Sequence, residues 1–221
     1  MRNASVLHWT LLVALLASPI VAPAQRTSDD RRGSKSGLQI EYGPNQGLTH
    51  TDTLGTKHNY RYITATITND STIAIHLQIA LSNEYDFPAA CGDKKYKVFL
   101  LPKELTPDTA ALINVITNGL GNFLDRCLDT PYILNKTLEP GEKSVVTFGT
   151  LYSRPTNCGV VPNALFAQGD SDNFQACDSL MNQDKSTDPQ LALGLKLDFY
   201  SGRSPFACIL IPCGQISYPE P

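Results

Sequence analysis

The sequence predicts a mainly β protein: an antiparallel two-sheet sandwich of immunoglobulin-like general form, with one amphipathic helical insertion. Two patterns carry this prediction. In several runs along the chain, apolar and β-branched residues alternate with polar ones, and this period of two is typical of a strand with one face toward a core. One segment instead repeats its apolar residues at helical spacing, so a single helix is expected between strands, capping one end of the sheet pair.

The strands follow from the alternation. The clearest two runs flank a turn at residues 69–72, and Pro140 and Gly141 suit the two central positions of a type II turn between two later strands. In chain order, strands are predicted at residues 38–42, 62–68, 73–81, 96–101, 144–152, 191–200 and 206–211. One further strand is predicted to begin at residues 131–134 and to lead into the turn at 139–142.

Residues 107–128 form the predicted helical insertion. Thr106 is typical of an N-cap, and Pro107 is typical of the first helical position. Apolar residues then repeat at intervals of three and four as far as the end of this segment. Gly119 and Gly121 are expected to split or weaken the helix near its middle, because glycine is a poor helix former.

The N-terminus predicts export. Arg2 supplies a positive charge, Val6–Ala17 is mostly apolar, and Ala22–Ala24 fits the small-x-small cleavage pattern, so residues 1–24 are interpreted as a signal peptide. The alternative is an uncleaved membrane anchor, but the apolar stretch is short for a membrane span and is interrupted by Ser and Pro. We therefore expect an exported protein, whether secreted, periplasmic or held at the cell surface.

The remaining chain is expected to hold a leader and one domain. Residues 25–36 are polar throughout and are interpreted as a flexible leader. Residues 37–221 fit the length of a single domain. Within that domain, residues 153–190 are interpreted as one long irregular loop, and loops of this length are usually functional or disordered.

The cysteines agree with export. All six follow the predicted signal peptide, which in an exported chain indicates up to three disulfides among many pairings. Cys158 and Cys177 bracket part of the polar loop and are the preferred pair. Elimination leaves Cys91 with Cys127 and Cys208 with Cys213. A zinc site is not indicated, because no two cysteines have C-x-x-C spacing.

Composition argues against three classes of protein. With 18 Lys and Arg against 21 Asp and Glu the net charge is −3, and the cations are not clustered as a nucleic-acid binder requires. A charged fraction of 18% beside 42% hydrophobic residues is unlike a disordered tether. A membrane-spanning protein is not expected either, because the one long apolar run lies at the N-terminus.

Four residues are candidate binding residues. Tyr60, Tyr62 and Thr64 fall on the outward face of their predicted strand, where rings and hydroxyls could contact a sugar or another protein. His76 lies on the outward face of the next strand. The alternative for the tyrosines is coverage by the helix or by the loop 153–190, since exposed aromatic patches are uncommon on monomers.

One part of the loop carries candidate calcium ligands. Asp170, Asp172, Asn173 and Asp178 supply oxygen atoms of the kind that calcium takes, and the first three resemble the opening of a calcium loop. The Gly and the distal Glu of an EF-hand are absent, so a hydrated surface loop is the preferred interpretation. No other cofactor is predicted.

A second candidate metal site precedes the strand at 62–68. His50, Asp52 and His58 place two imidazoles and a carboxylate within nine residues, a set that could hold a transition metal. The spacing matches no established site, so an ordinary polar loop is preferred.

Two segments after the predicted signal peptide match the N-glycosylation acceptor pattern. They are Asn69–Ser71 and Asn135–Thr137, both at predicted strand ends or turns. The pattern matters only in a cell that glycosylates exported proteins.

No catalytic residue is predicted. The G-x-S-x-G nucleophile motif is absent, and the cysteines are expected to be consumed in disulfides. We therefore expect an exported, non-catalytic binding or structural-interaction domain that recognises a glycan or a protein through loops and an outward strand face. The alternatives are a secreted hydrolase with an unrecognised active site and a subunit of a cell-surface assembly, for which an unpaired strand edge would be the sign.

Overall fold

The computed structural model describes residues 37–82, 85, 87, 96–106, 119–127, 132–154, 158–169, 176–179 and 190–218. Within them the chain forms eleven strands, one α-helical turn, a 3₁₀ turn and a π-helical turn. The strands are Leu38–Tyr42 (β1), Gln46–Thr51 (β2), Lys57–Asn69 (β3), Ile75–Ile79 (β4), Tyr96–Leu100 (β5), Leu134–Leu138 (β6), Lys143–Ser153 (β7), Gly159–Ala167 (β8), Asp178–Ser179 (β9), Gln190–Ser201 (β10) and Ser204–Ser217 (β11). The helical elements are Lys103–Leu105 (3₁₀), Leu120–Asn122 (α1) and Phe123–Cys127 (π).

The strands form two sheets. The first sheet has the order β1-β3-β7-β5, and β2 also pairs with β3. The second sheet has the order β6-β4-β11-β10-β8, and β9 also pairs with β11. The pairs are antiparallel except β9 with β11, which is parallel. The prediction of a mainly β fold with two antiparallel sheets and a short helix is confirmed, and the immunoglobulin-like general form stays a prediction.

The main core lies between the inner faces of the two sheets. The alternating apolar side chains of β3, such as Ile63 and Ile67, join those of β10 in one cluster. In β10, Leu195, Leu197 and Phe199 have no exposed surface. Burying an aliphatic or aromatic side chain contributes about 1.5–3 kcal/mol. The alternation that predicts these strands is therefore also what packs the sheets together.

Three strands were not predicted, and one of them, the two-residue β9, lies like β8 inside the segment 153–190. The first, β2, pairs with the N-terminal half of β3. It carries only one large apolar side chain, Leu48, so its sequence shows no alternation. The second, β8, lies inside the segment 153–190, so the prediction of one long irregular loop there is wrong. Most of β8 is buried on both faces, which removes the period of two. Pro162 also argues against a strand, but β8 is an edge strand with an irregularity in its register at that point.

The described part of the helical insertion, residues 119–127, covers a sheet face instead of capping one end of the sheet pair. Gly119 has a left-handed conformation (φ +84°) and α1 begins directly after it, in agreement with the expected break. Leu120, Phe123 and Leu124 pack on the outer face of the first sheet in a second hydrophobic cluster. Residues 107–118 of the predicted helix lie outside the described residues.

The turn between β6 and β7 agrees with its prediction. Gly141 has a φ of +78°, which the second central position of a type II turn requires. The backbone N–H of Glu142 donates to the carbonyl of Glu139 at 2.9 Å and closes the turn.

A disulfide joins Cys177 to Cys208. It forms because β9 pairs in parallel with β11, which sets the residue before β9 beside Cys208. The predicted pair Cys158–Cys177 is wrong because β8 and β9 lie on opposite sides of the β10–β11 pair. Cys158 is itself disulfide-bonded.

The predicted pair Cys208–Cys213 is also wrong. Both residues lie in β11, where five residues span about 16 Å, whereas bridged cysteines need Cα atoms within ~7 Å. Cys213 is an unpaired, fully buried thiol, and burial raises its pKa. Cys91 and the side chain of Cys127, the third predicted pair, lie outside the described residues.

No helix in the described part of the chain is both long enough and apolar enough to cross a membrane. The predicted signal peptide and leader, residues 1–36, lie outside the described residues.

Candidate functional site

Four ionisable side chains meet at one end of the outer face of the first sheet. The antiparallel pairing of β2 with β3 sets His50 directly opposite His58, with their ring centroids 6.2 Å apart. Asp52 follows β2, and Asp125 belongs to the π-helical turn of the insertion. The next pair along the same face is Leu48 with Tyr60, so the face changes there from apolar to polar.

The first imidazole joins the sheet to the insertion. Nε2 of His50 donates to Oδ1 of Asp125 at 2.5 Å, and both side chains are largely buried, at 14% and 13% exposure. A hydrogen bond to a carboxylate is stronger than one between neutral groups. This contact therefore fastens the π-helical turn to β2.

The second imidazole supports the tip of the β2–β3 hairpin, residues 52–56. Nε2 of His58 donates to Oδ2 of Asp52 at 2.9 Å. The other carboxylate oxygen, Oδ1, accepts the backbone N–H groups of Leu54 at 2.9 Å and Thr56 at 2.8 Å. Because the charged form of Asp52 accepts these bonds, the His58 contact and the backbone N–H groups hold its pKa below the usual 3.8.

Backbone contacts complete the hairpin tip. The N–H of Asp52 donates to the carbonyl of Thr56, and the N–H of Gly55 donates to the carbonyl of Asp52, both at 3.0 Å. Gly55 has a φ of +82°, which a residue with a side chain would adopt only with strain. The tip is thus fixed by its own hydrogen bonds.

Leu54 projects from this tip. Its side chain is 90% exposed, whereas the other exposed large hydrophobic residues of the described chain reach about half that exposure. Most isolated apolar residues on a surface need no explanation. Leu54 differs because it is almost completely exposed and because the backbone around it is rigidly held.

The predicted tyrosine contact face is buried. Tyr60 and Tyr62 are 0% and 2% exposed and stack on each other, with ring centroids 5.1 Å apart. Phe99 stacks on Tyr60 and contacts Phe123 of the insertion. These rings therefore cannot serve as an exposed binding surface. The helical insertion covers them, which is the alternative that the sequence offered.

A glycine makes room for these rings. A Cβ at Gly149 of β7 would lie 2.6 Å from the ring of Phe99 and 2.9 Å from that of Tyr60. The hydroxyl of Tyr62 donates to Gln46 at 2.7 Å. The hydroxyl of Tyr60 has no hydrogen-bond partner among the described residues, and burial raises its pKa.

The other two predicted binding residues do not join a common site. The hydroxyls of Thr64 and Thr147 lie 3.2 Å apart on the first sheet, partly buried. His76 is exposed on the second sheet, with its Nδ1 2.9 Å from the hydroxyl of Thr137. Thr64 lies on the first sheet and His76 on the second, because the chain passes from one sheet to the other between β3 and β4.

Of the two predicted cation sites, the calcium site lies mostly outside the described residues, whereas the site of His50, Asp52 and His58 is described completely. Asp170, Asp172 and Asn173 lie outside the described residues, so the calcium site stays a prediction, and Asp178 is exposed in β9. No group of three or more His, Cys, Asp or Glu side chains in the described part of the chain is placed to hold a metal ion. His50 and His58 each direct Nε2 at a separate carboxylate, which favours a polar cluster over a metal site.

Two residues of this site escaped the sequence analysis. Leu54 lies in the segment Asp52–Thr56, where an Asp and a Gly around a lone Leu are a signal for a tight turn with an exposed tip. Asp125 had no comparable signal, because its partner lies 75 residues earlier in the chain.

No protein-family model matches the chain, and no curated protein and no solved structure matches it significantly. The fold and the site define a disulfide-bonded, mainly β protein with a rigid, exposed hairpin tip.

Proposed function

We propose that this chain is an exported, non-catalytic interaction domain that contacts a protein partner through the tip of the β2–β3 hairpin. The exposed side chain of Leu54 on its hydrogen-bonded tip is the observation that carries the proposal. Completely burying a leucine contributes about 1.5–3 kcal/mol. Because the tip is already ordered, binding loses little conformational entropy there.

A protein partner fits this tip better than a glycan. An aliphatic side chain is complementary to an apolar pocket, whereas the candidate sugar contacts were the rings of Tyr60 and Tyr62. Both rings are covered by the insertion. Around Leu54 the exposed Lys57 and the partly exposed Asp52 supply a polar rim.

Export is supported by two features. Residues 1–24 have the pattern of a signal peptide. The disulfide between Cys177 and Cys208 is of a kind that forms and persists in oxidising compartments.

The test compares binding of the labelled full chain to intact cells of the producing organism. Leu54→Asp is expected to abolish saturable binding, since it places a charge in an apolar contact. Val145→Asp is the matched control: Val145 is half-exposed on the same sheet, opposite Thr66 and about 30 Å from the tip. Equal binding by wild type and Leu54→Asp would contradict the proposal.

A secreted hydrolase is the second candidate, and one observation favours it. The β3–β7 register sets the exposed Ser153 beside His58, whose Nε2 contacts Asp52. Serine, imidazole and carboxylate in this order are the groups that acyl transfer needs. Within the described residues neither His50 nor His58 has a hydroxyl hydrogen-bond partner, which ranks this candidate second. Covalent labelling of Ser153 by a fluorophosphonate, lost in Ser153→Ala, would support it over the interaction domain.

A further inference from the structure

The two N-glycosylation acceptor patterns of the domain differ in whether their asparagine side chain is buried or exposed. A third pattern, Asn3–Ser5, lies within the predicted signal peptide. Asn69 ends β3 and Asn135 lies in β6, and their surroundings are opposite in kind.

The amide of Asn69 is built into the fold. Its side chain has no exposed surface. Nδ2 donates to the carbonyls of Ile73 at 2.8 Å and Leu138 at 2.9 Å, which uses both of its hydrogens. Oδ1 accepts the backbone N–H and the hydroxyl of Ser71. A sugar on Nδ2 would remove one of these hydrogens and has no space, so a chain modified at Asn69 cannot adopt this structure.

Asn135 lies in the opposite environment. Its side chain is exposed on β6, which among the described strands pairs with β4 alone and lies at an edge of the second sheet. Its cross-strand neighbour is the exposed Gln78, which accepts a hydrogen bond from Gln215 at 3.0 Å. A glycan there would extend from a polar strip and disturb no buried contact.

We propose that Asn135 is the N-glycan attachment site of this protein when it is made in a glycosylating secretory pathway, and that the folded, secreted chain carries no glycan at Asn69. The co-reactant is a lipid-linked oligosaccharide, and the host's transferase catalyses the step. Nδ2 of Asn135 forms a bond to the anomeric carbon of the sugar. The bond from that carbon to the pyrophosphate oxygen breaks, and the amide proton leaves with the lipid pyrophosphate.

This assignment has a consequence for the surface. A glycan on Asn135 would shield the neighbouring His76 and Gln78 and the edge of β6 that has no partner among the described strands, where another chain could otherwise pair. The β2–β3 hairpin tip belongs to the other sheet and stays uncovered. The assignment does not depend on the hairpin proposal, and either can fail alone.

The test is expression of the full chain in a cultured insect or mammalian cell line, with recovery from both cells and medium. Peptide-N-glycosidase in heavy-oxygen water marks each formerly glycosylated Asn as a labelled Asp, which peptide mass mapping locates. Asn135 is expected to carry the label and Asn69 to lack it. Thr137→Ala is expected to remove the glycan and Thr137→Ser to keep it, because the serine preserves the acceptor pattern.

A control variant addresses the other pattern. Ser71→Ala destroys the pattern at Asn69 but keeps its amide, so the glycan content is expected to stay unchanged. If Asn135 carries no label in the protein recovered from cells or in that recovered from the medium, the proposal is overturned. Label at Asn69 in secreted chain would overturn it as well.

Discussion

Nε2 of His50 lies 2.5 Å from Oδ1 of Asp125, and this contact joins β2 to the π-helical turn 75 residues later in the chain. Both side chains are largely buried. The insertion that Asp125 belongs to also supplies the apolar cover over the tyrosines of β3. The polar contact and the apolar cover therefore hold the same segment on the first sheet.

The first prediction concerns this contact. His50→Ala and Asp125→Ala are each expected to lower the free energy of unfolding by about 1–3 kcal/mol, because each leaves a partly buried polar partner unsatisfied. The double variant is expected to lose less than the sum of the two, with a coupling of about 0.5–3 kcal/mol. Urea unfolding followed by tyrosine fluorescence measures all three values. Strictly additive losses would show that the two side chains do not interact.

The second prediction concerns the carboxyl of Asp52. Since the contact with His58 is the largest cause of its lowered pKa, His58→Asn is expected to raise the pKa of Asp52 toward 3.8. A carbon NMR titration of the carboxyl measures the shift. Glu142 is the internal control, because its lowered pKa depends mainly on the backbone N–H of Glu139 and should not change.

The same lowered pKa fixes the pH dependence of the hairpin tip. A carboxyl whose folded pKa is depressed contributes stability that is complete above its unfolded value of 3.8 and is lost as the pH falls through the lower folded value. Protonation of Asp52 is therefore expected to loosen the tip only below about pH 4. Amide exchange of Leu54 and Thr56, corrected for the intrinsic rate, checks this, and protection lost already between pH 7 and 5 would contradict it.

The third prediction contrasts two stacked tyrosines. The hydroxyl of Tyr60 is buried without a partner among the described residues, so Tyr60→Phe is expected to leave stability unchanged or raise it by up to about 1 kcal/mol. Tyr62→Phe removes the bond to Gln46 and is expected to cost about 0.5–1.5 kcal/mol. Chemical unfolding of both variants measures the difference, and a larger loss from Tyr60→Phe would reverse the assignment.

The fourth prediction concerns the disulfide. Replacing Cys177 and Cys208 by serine is expected to cost about 2–4 kcal/mol, because the bridge restricts the unfolded chain over a loop of many residues. Non-reducing peptide mapping should recover the peptides of these two cysteines as one linked species. Recovery of Cys177 linked to Cys158 would restore the pairing that the sequence favoured.

A thiol reagent provides the matching control. Cys213 is buried and its pKa is raised, so it should react only after unfolding. Rapid reaction of Cys213 in the folded protein would contradict its place in the core.

The sequence predicted those parts of the fold in which local pattern and burial agree. In β10, large apolar side chains alternate with small or polar residues because one face meets the core, so its period of two is visible. In β8, both faces are covered, and Val160, Leu165 and Phe166 are all buried, so no period remains. The sequence therefore predicts a loop where β8 lies.

The site depended on contacts that no local pattern contains. His50, Asp52 and His58 lie close in sequence and were recognised as a group, but the partner of His50 comes from a distant helical turn. The burial of Tyr60 and Tyr62 likewise depends on where the insertion packs. Sequence alternation places a side chain on a face of a strand, and only the tertiary structure shows what covers that face.

Site-specific photo-crosslinking shows whether the hairpin tip contacts a partner. A photoreactive amino acid replaces Leu54 in one variant of the full chain and Val145 in a second. On cells of the producing organism, we predict that the residue at position 54 crosslinks to one protein, that excess unlabelled wild type abolishes the crosslink, and that position 145 yields none. Crosslinking at 145 but not at 54, while the chain remains saturably bound, would contradict the proposal that the hairpin tip is the contact surface.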